Sequence, residues 1–142
     1  MIWPKDFSNR LTSWVELRQK AEHLDAEAAL NSINRWWLTS PWCPYYLHYD
    51  DLKDWPDPWQ LLSDDIYCDV ARGLGIMYTI AMLEREDFRD ARLIESDLGN
   101  LVLVSNEKYI LNYSPTEILN TNLRVTKVKR CIQQEQLLHK FK

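Results

Sequence analysis

Apolar residues recur at three- and four-residue steps in three stretches of the chain, then gather into short blocks, which predicts helices followed by a small sheet. Trp14, Leu17, Ala21 and Leu24 share one face of a first helix, opened near Ser13 by the capping-box spacing Ser13–Glu16. Asp25 is a good cap for a second helix over 26–37, whose inner stripe is Leu30, Ile33, Trp36 and Trp37, with Pro41 and Pro44 beyond its end. A third covers about 65–84, where Tyr67, Val70, Ala71, Leu74, Met77, Tyr78 and Ala81 keep the period. Gly73 and Gly75 within it each cost roughly 1 kcal/mol of helix propensity relative to Ala, so close-packed neighbours are expected there.

The blocks that follow read as strands. Residues 91–95 form the first, Leu101–Val104 the second and Tyr109–Leu111 its hairpin partner across Ser105–Lys108. Four consecutive aliphatics in Leu101–Val104 predict burial on both faces. Thr116–Asn120 reads as a helical turn, 123–128 as an imperfect strand, and 131–141 as a terminal helix with few apolar anchors. Between the second and third helices, 38–63 is irregular and interleaves prolines with Trp42, Trp55 and Trp59; the last two are expected to cap the central helix from inside. This pattern makes an α+β fold of one domain, 1–142, with an arm at 1–12, a core at 13–120 and a basic extension at 121–142. Both ends are expected to order only in an assembly, since they carry too few periodic apolar residues.

Charge sharpens the division. The net charge is −4, yet residues 121–142 carry +5 through Arg124, Lys127, Lys129, Arg130, Lys140 and Lys142 against Glu135, leaving −9 on residues 1–120. An acidic body excludes nucleic-acid binding by that part of the domain, and it can attract the basic tail within a chain or between chains. No run of 18 apolar residues is present, so no membrane span or membrane partner is expected, and synthesis in the host cytoplasm fits. Seven tryptophans and seven tyrosines are more than a core this size demands. Trp42, Tyr45 and Tyr46 are therefore candidates, with Arg124, Lys127, Lys129 and Arg130, for contact with other protein subunits.

Chemistry centres on cysteine. Cys43, Cys68 and Cys131 form no CxxC pair and leave an odd count, which argues against a disulfide framework; with three histidines, no metal or cofactor is expected. Cys68 opens the central helix, where the dipole favours a thiolate, but nucleophilic catalysis also needs a base and a group to orient it.

The order of a helix with Ile33-Asn34-Arg35-Trp36, then Asp54-Trp55, Pro58-Trp59-Gln60-Leu61-Leu62, Cys68 and two strands resembles the bacterial transglutaminase-like cysteine proteinases, of papain-like fold, over residues 25–115. The resemblance implies a Cys-bearing helix packed on a small antiparallel sheet. It also implies a histidine just before Leu101 and an aspartate just after Leu111; the chain has Asn100 and Asn112 there, and Ile66-Tyr67 in place of Gly-Asp before the cysteine. A neutral amide has no basic site to take a thiol proton. The expectation is a vestigial site of Cys68, Asn100 and Asn112, with no catalysis. The chain then serves as a structural or interaction protein, of the kind found in the neck, tail or baseplate of tailed-phage virions. The alternative is an active cysteine hydrolase or acyltransferase that pairs Cys68 with His48.

Overall fold

A computed structural model describes residues 3–44, 47–120, 123 and 125–142. Four α-helices are described, α1 (Phe7–Ala21), α2 (Ala26–Leu38), α3 (Pro58–Leu62) and α4 (Asp69–Leu83), with strands β1 (Arg92–Ser96), β2 (Gly99–Val104), β3 (Tyr109–Leu111) and β4 (Val128–Gln133). The chain is mixed α+β, and its sheet is antiparallel throughout in the order β3-β2-β1-β4.

From Trp3 onward the described N-terminal residues pack on the body. Asp6, not Ser13, caps α1, its carboxylate accepting the Asn9 amide at 2.8 Å. Trp3 is buried against Trp36 and Tyr67, with ring centroids 4.5 and 5.4 Å away. Arg10 fastens this lead to α3: its guanidinium donates to the carbonyls of Pro4, Lys5, Leu62 and Asp64 at 2.6–3.0 Å, so four of the five N–H donors of the buried charge are placed on carbonyls.

Helix α2 begins behind the Asp25 cap, as its sequence predicts. Between α1, α2 and α4 the buried Thr79 hydroxyl accepts the indole N–H groups of Trp14 and Trp37, both at 2.9 Å, and donates to the Gly75 carbonyl at 2.7 Å. A Cβ on Gly75 would lie 2.5 Å from the Trp37 ring, so glycine is what lets these two helices approach. Residues 49–62 are more regular than their prolines imply. A 3-10 stretch at Tyr49–Asp54 leads into α3, which a reciprocal capping box between Asp57 and Gln60 starts. Trp55 is buried, whereas Trp59 is 43% exposed and does not cap the central helix from inside.

Both faces of the sheet are covered. Leu93, Val102, Val104, Leu111 and Ile132 join the main core beneath α4, and Ile94, Leu101, Leu103 and Ile110 form a second cluster with Leu98, Leu123 and Val125. Residues 116–120 are not helical: Ile118 and Leu119 bridge to β3, with the Ile110 amide donating to the Ile118 carbonyl at 2.7 Å. Residues 128–142 of the basic C-terminal segment likewise pack on the body. The strand expected over 123–128 lies instead at 128–133, and 3-10 turns at Gln134–Gln136 and Leu138–Lys140 replace the terminal helix. The ladder with β1 provides the anchoring that this segment's own apolar residues lack. Beyond it Leu137 is buried, Phe141 stacks edge-on against Tyr78 at 5.8 Å, and the Lys140 ammonium donates to the carbonyls of Lys53 and Trp55 at 3.0 and 2.9 Å.

Candidate functional site at the start of helix α4

The chain enters α4 through a short parallel bridge rather than through helix. Tyr67 pairs with Trp42: its amide donates to the Pro41 carbonyl at 2.8 Å, and its carbonyl accepts the Cys43 amide at 3.0 Å. Residues 65–68 are therefore not helical, and the central helix starts at Asp69 with Cys68 as its extended N-cap. Cys68 is 3% exposed, and its Sγ accepts the Leu47 amide at 3.3 Å.

Asn100 and Asn112 flank this helix start. Asn112 ends β3 in the left-handed region at φ 65°, a conformation asparagine tolerates better than most residues. Its Nδ2 donates to the carbonyls of Asp69 at 2.9 Å and Asn100 at 2.7 Å, while its backbone amide donates to Asn34 Oδ1 at 2.8 Å. Asn34 in turn donates to the Ser114 carbonyl at 2.8 Å. Asn100 Oδ1 accepts the Tyr49 hydroxyl at 3.0 Å. Asn34 and Asn112 thus tie α2, α4 and the β2–β3 hairpin together, and Asn100 joins the hairpin to the 3-10 stretch at Tyr49.

Across the sheet, Arg130, Glu95 and Asn100 stand abreast on β4, β1 and β2. All three line an open cavity of about 450 Å³ together with Cys68, His48 and Tyr49. Burial holds the Tyr49 hydroxyl well above the ordinary tyrosine range, with the nearby Glu95 and Cys68 adding to the effect, so Tyr49 is a neutral donor. Arg130 meets Asp50 of the same chain at 2.7 Å, so the attraction between acidic body and basic tail is realised within one chain at this contact. Glu95 was not legible as a site residue. It belongs to a strand whose charged positions read as solvent-facing, and only its register against Asn100 brings it to the cavity.

The cavity is therefore lined by a buried thiol, a phenol, an imidazole, the carboxylates of Asp50, Asp69 and Glu95, and the cations Lys129 and Arg130. The side chain that β3 presents to the helix start, Asn112, is a neutral amide. Among the described residues no group of three His, Cys, Asp or Glu side chains is placed to hold a metal ion, and no helix is long and apolar enough to cross a membrane. Of the contact candidates, Trp42 is 54% exposed with its indole N–H donating to Asp69 at 3.1 Å, and Lys127 and Lys129 are exposed on or beside β4. Tyr45, Tyr46 and Arg124 lie outside the described residues. No protein-family model, curated protein or solved structure matches this chain.

Proposed function

We propose that the protein is a non-catalytic structural or interaction module built on a degenerate transglutaminase-like scaffold. One observation carries this reading: where that scaffold would hold a base and its orienting acid stand two neutral amides with structural bonds, Asn100 accepting the Tyr49 hydroxyl and Asn112 donating to the Asp69 and Asn100 carbonyls. A thiol without a base positioned against it is a poor nucleophile. The exposed Trp42 ring and the basic side chains Lys127 and Lys129 are the contact surface of the proposal, and other protein subunits are the partners. Placement in a tailed-phage particle, at the neck, tail or baseplate, rests on the sequence resemblance alone.

A second reading, an active hydrolase or acyltransferase using Cys68 with His48, draws on their lining the same cavity. Residue-resolved alkylation separates the two. With iodoacetamide at pH 6, Cys68 is expected to label slowly and equally in wild type and in His48→Ala. Fast stoichiometric labelling of Cys68 that disappears in His48→Ala establishes the enzyme reading instead.

A further inference from the structure

The bridge that delivers Cys68 to its helix also sets a second thiol beside it. Trp42 and Tyr67 are paired in parallel, so the next residue on each segment, Cys43 and Cys68, advances in the same direction from the same pair. Residues abreast on paired segments lie about 5 Å apart, inside the roughly 4.4–6.8 Å Cα separation that a disulfide spans. Two further contacts surround the pair. The Leu47 amide donates to Cys68 Sγ at 3.3 Å. Arg72, one helical turn beyond Cys68, is partly buried near Cys43 and donates to the Ser40 hydroxyl at 3.1 Å and to the Ser40 carbonyl.

We propose that Cys43 and Cys68, both thiols in this structure, are an oxidation site: a dithiol that a peroxide converts to an intramolecular disulfide. The division of labour follows from exposure. Cys43 is half-buried beside a cation, the setting in which thiols meet and attack oxidants, while Cys68 is buried and resolves the product. The Cys43 sulfur attacks one oxygen of hydrogen peroxide; the O–O bond breaks, hydroxide leaves and is protonated to water, and Cys43 becomes a sulfenic acid. The Cys68 sulfur then displaces the sulfenic hydroxyl, its own proton completing a second water, and the S–S bond forms. Two thiols lose two electrons and two protons, and one peroxide is reduced to two waters.

The bond closes the loop from 43 to 68, which carries His48 and Tyr49 along one wall of the cavity, and it caps Cys68 covalently. The inference uses the bridge, the thiols and Arg72, and it stands whether or not the scaffold reading does. Cys131 is an internal control, exposed and paired with Ile94 on β4.

The test oxidises the full wild-type chain with a small excess of hydrogen peroxide and maps it by non-reducing peptide mass spectrometry. The expected result is a Cys43–Cys68 linked peptide pair, loss of two hydrogen masses from the intact monomer, and a fall from three titratable thiols to one in denaturant, all reversed by dithiothreitol. Cys131→Ser is expected to keep the linkage, and Cys43→Ser to abolish it while Cys68 stays a thiol. Retention of all three thiols, oxidation confined to Cys131, or a linkage through Cys131 overturns the proposal. The wild-type map alone decides, so the result does not depend on any variant folding.

Discussion

Asn112 fastens the end of β3 to the first residue of α4, its side-chain amide donating to the Asp69 carbonyl at 2.9 Å while the same nitrogen reaches the Asn100 carbonyl at 2.7 Å. Only a donor satisfies two carbonyls at once, so the amide is chemically suited to this place and a carboxylate is not. Asn112→Asp, which restores the acid of the resembled pattern, is expected to destabilise the fold by about 1–3 kcal/mol at pH 7. The loss shrinks in acid. A carboxyl facing two carbonyls is held protonated, so its folded pKa lies above the unfolded value, and the folded state binds the extra proton between them. Stability of the variant relative to wild type therefore falls as pH rises from about 4 to 7. Urea unfolding at the two pH values measures this; an equal deficit at both refutes the assignment of Asn112 as a double donor.

Substitution of Gly75 tests the closest helix–helix approach. An added methyl would meet three atoms of the Trp37 ring at 2.5–2.6 Å, and that ring is itself wedged against Trp3, Trp36 and Tyr67. Ala gains roughly 1 kcal/mol of helix propensity, whereas overpacking a filled core costs about 1–3 kcal/mol or more, so Gly75→Ala is expected to be net destabilising by on the order of 1–2 kcal/mol. Trp37→Leu opens the space the methyl needs. The double variant should therefore be less destabilised than the sum of the singles, a coupling that a urea double-mutant cycle reads directly.

Alkaline pH tests the buried phenols. Burial raises both Tyr49 and Tyr78 above the ordinary tyrosine value of about 10, with Glu95 adding to the first and Asp57 to the second. Both donate as neutral hydroxyls, Tyr49 to Asn100 at 3.0 Å and Tyr78 to the Pro56 carbonyl at 2.6 Å. Above pH 10 the unfolded chain gives up these protons before the folded one does, so the folded state binds more protons and stability declines with rising pH. The stabilisation is complete below pH 10. Tyr49→Phe and Tyr78→Phe are each expected to flatten the alkaline limb of a stability–pH curve; an unchanged slope in both refutes the claim.

What the sequence made legible depended on whether a residue's role was local. Asp25 as a cap, the stripe of α2 and the strand pair 101–104 and 109–111 follow from spacing, because neighbours in sequence make the contacts. Phe7 as the start of α1 was hidden by Arg10, whose charge marks it as exposed although carbonyls from α3 and the N-terminal lead bury it. Strand β4 shows no alternation because Ile132 alone among its residues is buried; its register comes from β1 and is absent from its own side chains. At the site, Cys68, Asn100 and Asn112 were named from order along the chain, and the structure brings them together around the start of α4. Glu95 and the Cys43 neighbour arise from pairings between distant segments, which no local pattern encodes.

The C-terminal segment supplies the last test, because the basic end is bound into the fold. Ile132 and Leu137 are buried, Phe141 covers Tyr78, Lys140 holds two carbonyls of the segment ahead of α3, and Lys142 pairs with Glu84 at 3.1 Å. The Lys142 pair is exposed and contributes little. Burial of Leu137 alone is worth about 1.5–3 kcal/mol, and exposing the Tyr78 ring adds to the loss. Removing residues 134–142 is therefore expected to lower stability by several kcal/mol, whereas Lys142→Ala stays within about 0.5 kcal/mol of wild type. Hydrogen exchange on the free monomer gives the independent reading. The backbone amides that β4 contributes to its ladder with β1 should be protected well beyond the unfolded-chain rate, though less than those of β2, which has a strand on each side. Fast exchange throughout 128–133, with a truncation that leaves the urea midpoint unmoved, would return this segment to the status of a tail that orders only on a partner.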